Sequence, residues 1–208
     1  MSEMLGDFID FATSVFPSVD SSKSQIAKQA LRKLVNGNPR QPNQLEHELN
    51  YVNLLQSCQD NDLIQGDILG QVKFFHIDDE GSLFEKSSFA IILTNTCDIE
   101  NDDLLILSVC YPETEFFSAF SHLNEYEIKQ NKIGNYFYIY KSSGMSYICD
   151  LSHCTTYSKI LVQTLIKDKK LQKHETLTQV GWYILLLKLT FHFMRPEDRE
   201  THLSRPIS

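Results

Sequence analysis

Residues 94–98, Thr-Asn-Thr-Cys-Asp, are mostly polar and directly follow an apolar run. Loops that leave buried strands often carry ligand-binding groups, because the scaffold beneath them is rigid. Hydroxyl, amide and carboxylate groups suit hydrogen bonds to a ligand or a partner protein. The candidate contacts are Thr94, Asn95, Thr96 and Asp98. The alternative interpretation is structural, with Asn95 and Asp98 satisfying backbone groups of a turn.

Cys97 is a candidate nucleophile in the same segment. A catalytic thiol needs a base that removes its proton, and His76 and His122 are the candidate bases. The spacing of the sequence does not select between these two histidines. The alternative interpretation is that Cys97 packs as a small apolar residue.

Cys149, His153 and Cys154 bring two thiols and an imidazole close together in the sequence. Structural zinc takes four ligands, and no second pair with suitable spacing accompanies these residues. We therefore predict no metal site and no cofactor, with both thiols buried. Five cysteines, an odd number without a repeating framework, predict reduced thiols in a cytoplasmic protein. The first residues lack a basic segment followed by an apolar one, so we expect no secretory signal.

The composition is that of a globular protein, since 42% of the 208 residues are hydrophobic and 22% are charged. The formal net charge is −8, from 19 basic and 27 acidic residues. This balance does not support a broad basic surface, so a nucleic-acid partner is not favoured, although it is not excluded. The longest apolar stretch is interrupted well before the roughly 20 residues that a membrane-spanning helix needs, so we expect no membrane partner.

Residues 1–62 carry apolar residues at helical spacing and predict a helical extension of three amphipathic helices. Asn43 and Glu46 form a capping box for the third helix, whose apolar face includes Leu55. Three short helices cannot bury all of their own apolar faces. We therefore expect the extension to lie on another part of the protein or on a partner.

From Leu63 onwards the pattern changes to short runs rich in β-branched and aromatic residues, separated by turn residues. These runs predict about six strands, which lie near residues 67–75, 89–93, 104–109, 136–140, 147–151 and 160–162. Strands of this length with turns between them predict a small barrel or sandwich, and with the helices an α+β fold.

A final helix of roughly 18 residues is predicted from near Thr176 to a stop at Arg195-Pro196. Its apolar residues cover most of the circumference, and Lys188 and His192 leave a narrow polar edge. A helix that is apolar nearly all round is buried on more than one side. We expect it to lie between the strands and either the N-terminal helices or a second subunit. Its candidate partner contacts are Trp182, Leu186 and Phe193.

Four segments in sequence carry a resemblance to a known family: Gly66-Asp67-Ile68, Phe89-Ala90-Ile91-Ile92-Leu93-Thr94-Asn95, Leu104-Leu105-Ile106-Leu107-Ser108, and Asp150 to Leu161. Together with the helix after them, they resemble the MazF/PemK-type toxins over about residues 63–194. The resemblance implies an SH3-like β-barrel with a long C-terminal helix at residues 63–208, usually in a homodimer. It also implies a bacterial toxin–antitoxin or phage-defence setting, in which active members cut single-stranded mRNA.

The catalytic groups of that family are not retained here. Active members place Arg-Pro immediately before the strand that matches Phe89–Leu93, where this chain has Ser88-Phe89. Their Thr-Ser pair is also missing from the end of the strand that matches Ser108–Pro112. RNA cleavage without metal needs a cation for the developing charge and a group that moves protons. The substitutes that this chain offers are Lys86, Lys73 and His76.

The sequence leads to hypotheses from different classes. The first is a non-catalytic binding or assembly component built on a MazF-like barrel, which forms a homo-oligomer and binds a protein partner. The alternative is a metal-independent endoribonuclease that cuts single-stranded RNA with substituted catalytic residues. A third hypothesis is an enzyme that depends on Cys97. Whether the chain is an enzyme is left open by the sequence.

Overall fold

The computed structural model describes residues 53–58, 62–77, 80–131 and 133–193. Within these ranges the chain has the mixed α+β fold that its sequence predicts, and most of its regular structure is strand. Of the helical extension predicted over residues 1–62, the first 52 residues lie outside the described part of the structure.

Seven strands form one antiparallel sheet in the order β1-β7-β2-β3-β4-β6-β5. The strands are β1 (Leu55–Ser57), β2 (Asp67–Ile77), β3 (Leu83–Ile92), β4 (Leu104–Pro112), β5 (Tyr136–Ile139), β6 (Tyr147–Ser158) and β7 (Gln172–Leu177). β1 precedes the predicted boundary at residue 62, yet it pairs with β7 through Leu55 and Leu177. The described sheet therefore begins before that boundary.

In the described residues, five helices connect or cover these strands: α1 (Thr96–Asn101), α2 (Glu113–Ala119), α3 (Glu125–Lys129), α4 (Lys159–Lys167) and α5 (Gln179–Phe193). Of the helices in the described ranges, none is both long enough and apolar enough to span a membrane.

Apolar side chains on both faces of the sheet are buried, because successive residues of a strand point to opposite sides. The cluster beneath α5 includes Ile68, Ile91, Phe137, Ile184 and Leu185. A second cluster lies beneath α4 and includes Leu69, Phe74, Ile92, Leu107 and Val162. A third, beneath α2 and α3, is built from Phe116, Ile128, Tyr138 and Ile148.

The Gly-Asp-Ile segment at the start of β2 has a structural role. Gly66 has φ +94°, and a Cβ there would lie 2.8 Å from Leu177 Cδ1, so this position favours glycine. Asp67 is fully buried; its Oδ2 accepts a hydrogen bond from Ile64 N at 2.9 Å and lies 3.0 Å from Lys173 Nζ. Burial raises the pKa of Asp67 above its ordinary value, and the contacts with Ile64 and Lys173 act in the opposite direction.

Two predicted elements are wrong, and a third begins later than predicted. Residues 160–162 lie in α4 rather than in a strand. At the start of this helix Ser158 Oγ accepts a hydrogen bond from Leu161 N, and Val162 is buried. Leu55 belongs to β1 rather than to a helix. Thr176 lies in β7, so the final helix begins at Gln179 instead. In each case pairing or packing with distant residues outweighs the local pattern.

Two predictions about polar side chains are also wrong. Lys188 is only 4% exposed, and its Nζ donates to Asn131 O at 3.0 Å and Ile133 O at 2.6 Å instead of facing water. Cys110 and Cys149, directly opposite each other on β4 and β6, form a disulfide. The prediction that all five thiols are reduced therefore fails for these two.

Candidate functional site

Lys86 and Ser88 of β3 lie beside Tyr111 and Cys110 of β4. Lys86 Nζ lies 5.4 Å from the centroid of the Tyr111 ring, a distance at which a cation is attracted to the face of an aromatic ring. Ser88 Oγ donates to Cys110 O at 2.9 Å, which fixes the hydroxyl on the backbone of β4. The sheet thus places one cation beside Tyr111, while the Ser88 hydroxyl is already bound to the backbone of β4.

Asp150 supplies a negative charge near Tyr111 and Tyr136. It lies on β6 opposite Tyr136 of β5 and Val109 of β4, and its Oδ1 accepts a hydrogen bond from Ser152 N at 3.0 Å. Burial and, secondly, the Asp150 carboxylate raise the pKa of Tyr111 and of Tyr136. Both phenols therefore keep their protons at neutral pH, so they can donate hydrogen bonds but cannot act as bases.

β6 departs from regular pairing with β4 directly after Asp150. Ser108 pairs with Cys154 and Val109 with Asp150, so residues 151–153 are inserted into β6 at this point. Such a bulge bends a strand and redirects its side chains. The His153 ring contacts the edge of Phe74 at a centroid distance of 5.6 Å. Cys154 is exposed, so the prediction that both thiols are buried fails for it. Partial desolvation still raises the pKa of its thiol, which disfavours the reactive thiolate.

Sequence reasoning missed the group formed by Tyr111, Tyr136 and Asp150. These residues are distant in sequence, and only the pairing of β4, β5 and β6 unites them. One signal was available, since Asp150, Ser152 and His153 place polar residues inside an otherwise apolar run.

Residues 94–98 turn from β3 into α1, and several of their polar atoms bond within the chain. Asn95 caps α1 by accepting a hydrogen bond from Cys97 N at 2.9 Å. Thr94 Oγ1 accepts from Ile106 N at 2.6 Å, and Thr96 Oγ1 accepts from Gln65 N at 3.1 Å. Cys97 and Asp98 are exposed. A ligand or partner contact by these residues stays a prediction.

The proposed substitutes for the catalytic residues are not gathered into one cleft. In the register of β2 and β3, Lys73 is opposite Ser87 and Lys86 is opposite Phe74. Because neighbouring residues alternate between faces, Lys73 and Lys86 lie on opposite faces. Lys73 Nζ instead pairs with Glu85 Oε1 at 2.8 Å. The side chain of His76 lies outside the described part of the structure.

His122, the second candidate base for Cys97, lies in an exposed turn after α2. Among the described residues, no group of three or more His, Cys, Asp and Glu side chains is arranged to hold a metal ion.

The distal halves of β2 and β3, residues 72–77 and 83–88, form a two-stranded extension that we call the ribbon. Gly70 and Gln71 together oppose Phe89, and this bulge separates the ribbon from the rest of the sheet. Val72 and Phe74 point to the buried side. The opposite side, here called the outer face, presents Phe75, Ile77 and Leu83, which are 56%, 73% and 65% exposed.

The candidate partner residues of α5 have different environments. Trp182 Nε1 donates to Gln65 Oε1 at 2.8 Å, and Gln65 Nε2 donates to Leu93 O at 2.6 Å. Trp182 therefore joins the helix to its own sheet. Leu186 is half-buried and Phe193 is exposed, so these two remain candidates for a partner contact.

A scan against protein-family models found no match for this chain, and no curated protein matches it.

Proposed function

We propose that this chain is a non-catalytic binding and assembly component, built on a MazF-like barrel and working in a bacterial toxin–antitoxin or phage-defence system. The observation that carries the proposal is the outer face of the ribbon. Phe75, Ile77 and Leu83 are large apolar side chains, each more than half exposed, at neighbouring positions of one face. Contiguous apolar surface of this kind marks protein interaction sites.

The chemistry around Lys86 supports the same proposal. Cleavage of RNA needs a cation at the phosphate and a group that accepts a proton. Lys73 lies on the other face of the ribbon from Lys86, so a second lysine does not reinforce the first. Tyr111 and Tyr136 keep their protons, and the Asp150 carboxylate beside them repels a phosphate.

The balance of charge points in the same direction. Residues 63–175 contain 10 Lys and 16 acidic residues, a net of −6, and no Arg lies between Arg40 and Arg195. A phosphate backbone is bound mainly through Lys and Arg. A surface with this balance therefore suits a protein partner better than RNA.

The test is incubation of the purified protein with mixed-sequence single-stranded RNA, without added metal. We expect the RNA to stay intact over a time in which a control ribonuclease degrades it. Cleavage that co-purifies with the protein and disappears in Lys86→Ala would overturn the proposal.

A metal-independent endoribonuclease is the second candidate, and one observation favours it. Lys86 stands beside Tyr111 and two residues before Ser88, the position that the resemblance aligns with the family's Arg. If this candidate is right, Lys86→Ala abolishes cleavage, whereas Lys73→Ala, on the opposite face of the ribbon, leaves the rate within about twofold. Equal loss in both variants would point to nonspecific electrostatic binding instead.

A further inference from the structure

The side of the sheet that carries α5 is only partly covered along β4. Ser108 and Cys110 face this side and are fully buried, and successive residues of a strand alternate between sides. Leu104 and Ile106 therefore face the same side, yet they are 56% and 46% exposed. The carbonyl of Ile106 accepts a hydrogen bond from Leu93 N, directly after β3, at 2.8 Å. The uncovered residues thus lie at the opposite end of β3 from the ribbon.

Exposed acidic side chains border these two residues. α1 ends shortly before β4, and four carboxylates of α1 and of its connection to β4 are exposed: Asp98, Glu100, Asp102 and Asp103. Lys159 lies beside them, but its Nζ donates to a backbone group, Ile99 O, at 2.9 Å. We call Leu104, Ile106 and the four acids the β4 strip. It combines exposed apolar side chains with exposed negative charge.

A segment of complementary chemistry lies in the first part of the chain. Residues 21–40 contain five basic residues and no acidic one, although the whole chain carries a formal charge of −8. Apolar residues recur here at helical spacing, at positions 26, 27, 30, 31, 34 and 35, which predicts an amphipathic helix. At about 100° per residue, Lys28 and Lys33 border its apolar stripe on either side. Apolar residues bordered by lysines complement apolar residues bordered by carboxylates.

The end of this N-terminal segment lies close to the β4 strip. Leu54, immediately before β1, accepts a hydrogen bond from Thr178 N at 2.8 Å, next to the first turn of α5. On that turn Trp182 Nε1 donates to Gln65 Oε1 at 2.8 Å. Gln65 N in turn donates to Thr96 Oγ1, at the start of α1, at 3.1 Å. A short series of direct contacts therefore leads from the N-terminal segment to α1.

The connection between the amphipathic segment and β1 is long enough to permit this contact. Residues 37–53 span about 25 Å even if they are fully helical, at about 1.5 Å per residue. A domain of this size has a radius of gyration of about 15 Å. Because the segment is tethered to the sheet, its effective concentration there is in the millimolar range, so a small apolar surface is sufficient for docking.

We propose that residues 22–36 dock on the β4 strip of their own chain. The apolar stripe of the segment covers Leu104 and Ile106, and its lysines face the carboxylates of α1. The contact extends the helical layer that α5 begins on this side of the sheet. Apolar groups then form the centre and charges form the rim, which is the usual anatomy of a protein contact. The inference is independent of the proposed function, because the ribbon lies at the other end of β3.

Carbodiimide cross-linking of the full chain tests the docking, because this reagent joins an amine to a carboxylate only when the two are in contact. We expect peptide mapping by mass spectrometry to find Lys28 or Lys33 joined to a carboxylate of residues 98–103. The ion pair of Lys129 with Glu113, at 2.6 Å, is the internal reference for the extent of reaction. A mixture of isotopically labelled and unlabelled protein separates links within one chain from links between chains.

The double variant Leu104→Ser/Ile106→Ser removes the apolar part of the β4 strip and keeps every amine and carboxylate. We expect the yield of the link, relative to the internal reference, to fall at least about fivefold. The matched control Ile160→Ser/Leu161→Ser changes two exposed apolar residues of α4, on the other side of the sheet, and leaves the yield unchanged. Circular dichroism verifies that all variants are folded.

Three results would overturn the inference. The first is the absence of a link between the two segments although Lys129 reacts with Glu113. The second is a link found only between labelled and unlabelled chains, because a second copy is then the occupant of the β4 strip. The third is a yield that Leu104→Ser/Ile106→Ser leaves unchanged.

Discussion

The disulfide between Cys110 and Cys149 makes a quantitative prediction about stability. The two residues are 39 positions apart in sequence, and both are fully buried. In the chain-entropy model, closing a loop of this size restricts the unfolded chain by about 3.9 kcal/mol at 25 °C. Denatured chains retain some structure, so measured values are usually lower. We expect reduction to lower the free energy of unfolding by about 2–4 kcal/mol.

Two measurements check this prediction on protein purified without reductant. Alkylation in denaturant labels the three cysteines outside the disulfide, Cys58, Cys97 and Cys154, and addition of a reductant raises the number of labelled cysteines to five. Urea unfolding with and without the reductant then gives the difference in stability. As a control, Cys97→Ala lowers both label counts by one and leaves the difference in stability unchanged.

The reasoning fails if five thiols react before reduction, because the bond is then absent. It also fails if the two unfolding curves coincide while the label counts differ. In that case the β4–β6 pairing persists in the denatured state and the loop is already closed.

Two further predictions concern buried charges. Lys188→Met keeps the aliphatic stem but leaves Asn131 O and Ile133 O without their donor. We expect urea unfolding to show that the free energy of unfolding falls by about 2–4 kcal/mol. The exposed control Lys170→Met should lower it by less than about 0.5 kcal/mol. Burial raises the pKa of Asp67 above its ordinary 3.8. The protonated Asp67 side chain therefore contributes fully to the stability of the folded protein below pH 3.8. This contribution is lost as the pH rises through the raised pKa. Asp67→Asn cannot ionise, so its stability relative to the parent protein should improve as the pH rises from about 4 to 7; a difference that stays constant over this range, measured by urea unfolding, would contradict the pKa shift.

The sequence by itself was sufficient for the elements that are long and strongly patterned. The apolar runs near residues 67–75, 89–93 and 104–109 predict strands, and all three are strands in one sheet. Turn residues were predicted between the runs, and Gly81 with φ +83° lies in the connection between β2 and β3. These predictions succeed because alternation of side chains and turn chemistry are local properties.

Elements whose state depends on distant partners were not predicted. β1 and β7 are short segments that become strands by pairing with each other and with β2, whereas residues 160–162 join a helix that covers the second cluster of the core. Lys188 has the composition of a solvent-facing residue, but the carbonyls that bind its ammonium come from the turn between α3 and β5. Local propensity is weaker than such contacts.

The candidate site was likewise predictable only in part. The sequence alone shows that no Arg lies between Arg40 and Arg195, and it offers Lys86, Lys73 and His76 as substitutes for the missing catalytic residues. Only the tertiary structure decided that Lys86 lies against Tyr111, that Lys73 lies on the opposite face, and that Phe75, Ile77 and Leu83 share one exposed surface. The physical reason is strand register: a shift of one residue would exchange the two faces, and register depends on pairing between strands rather than on any single segment.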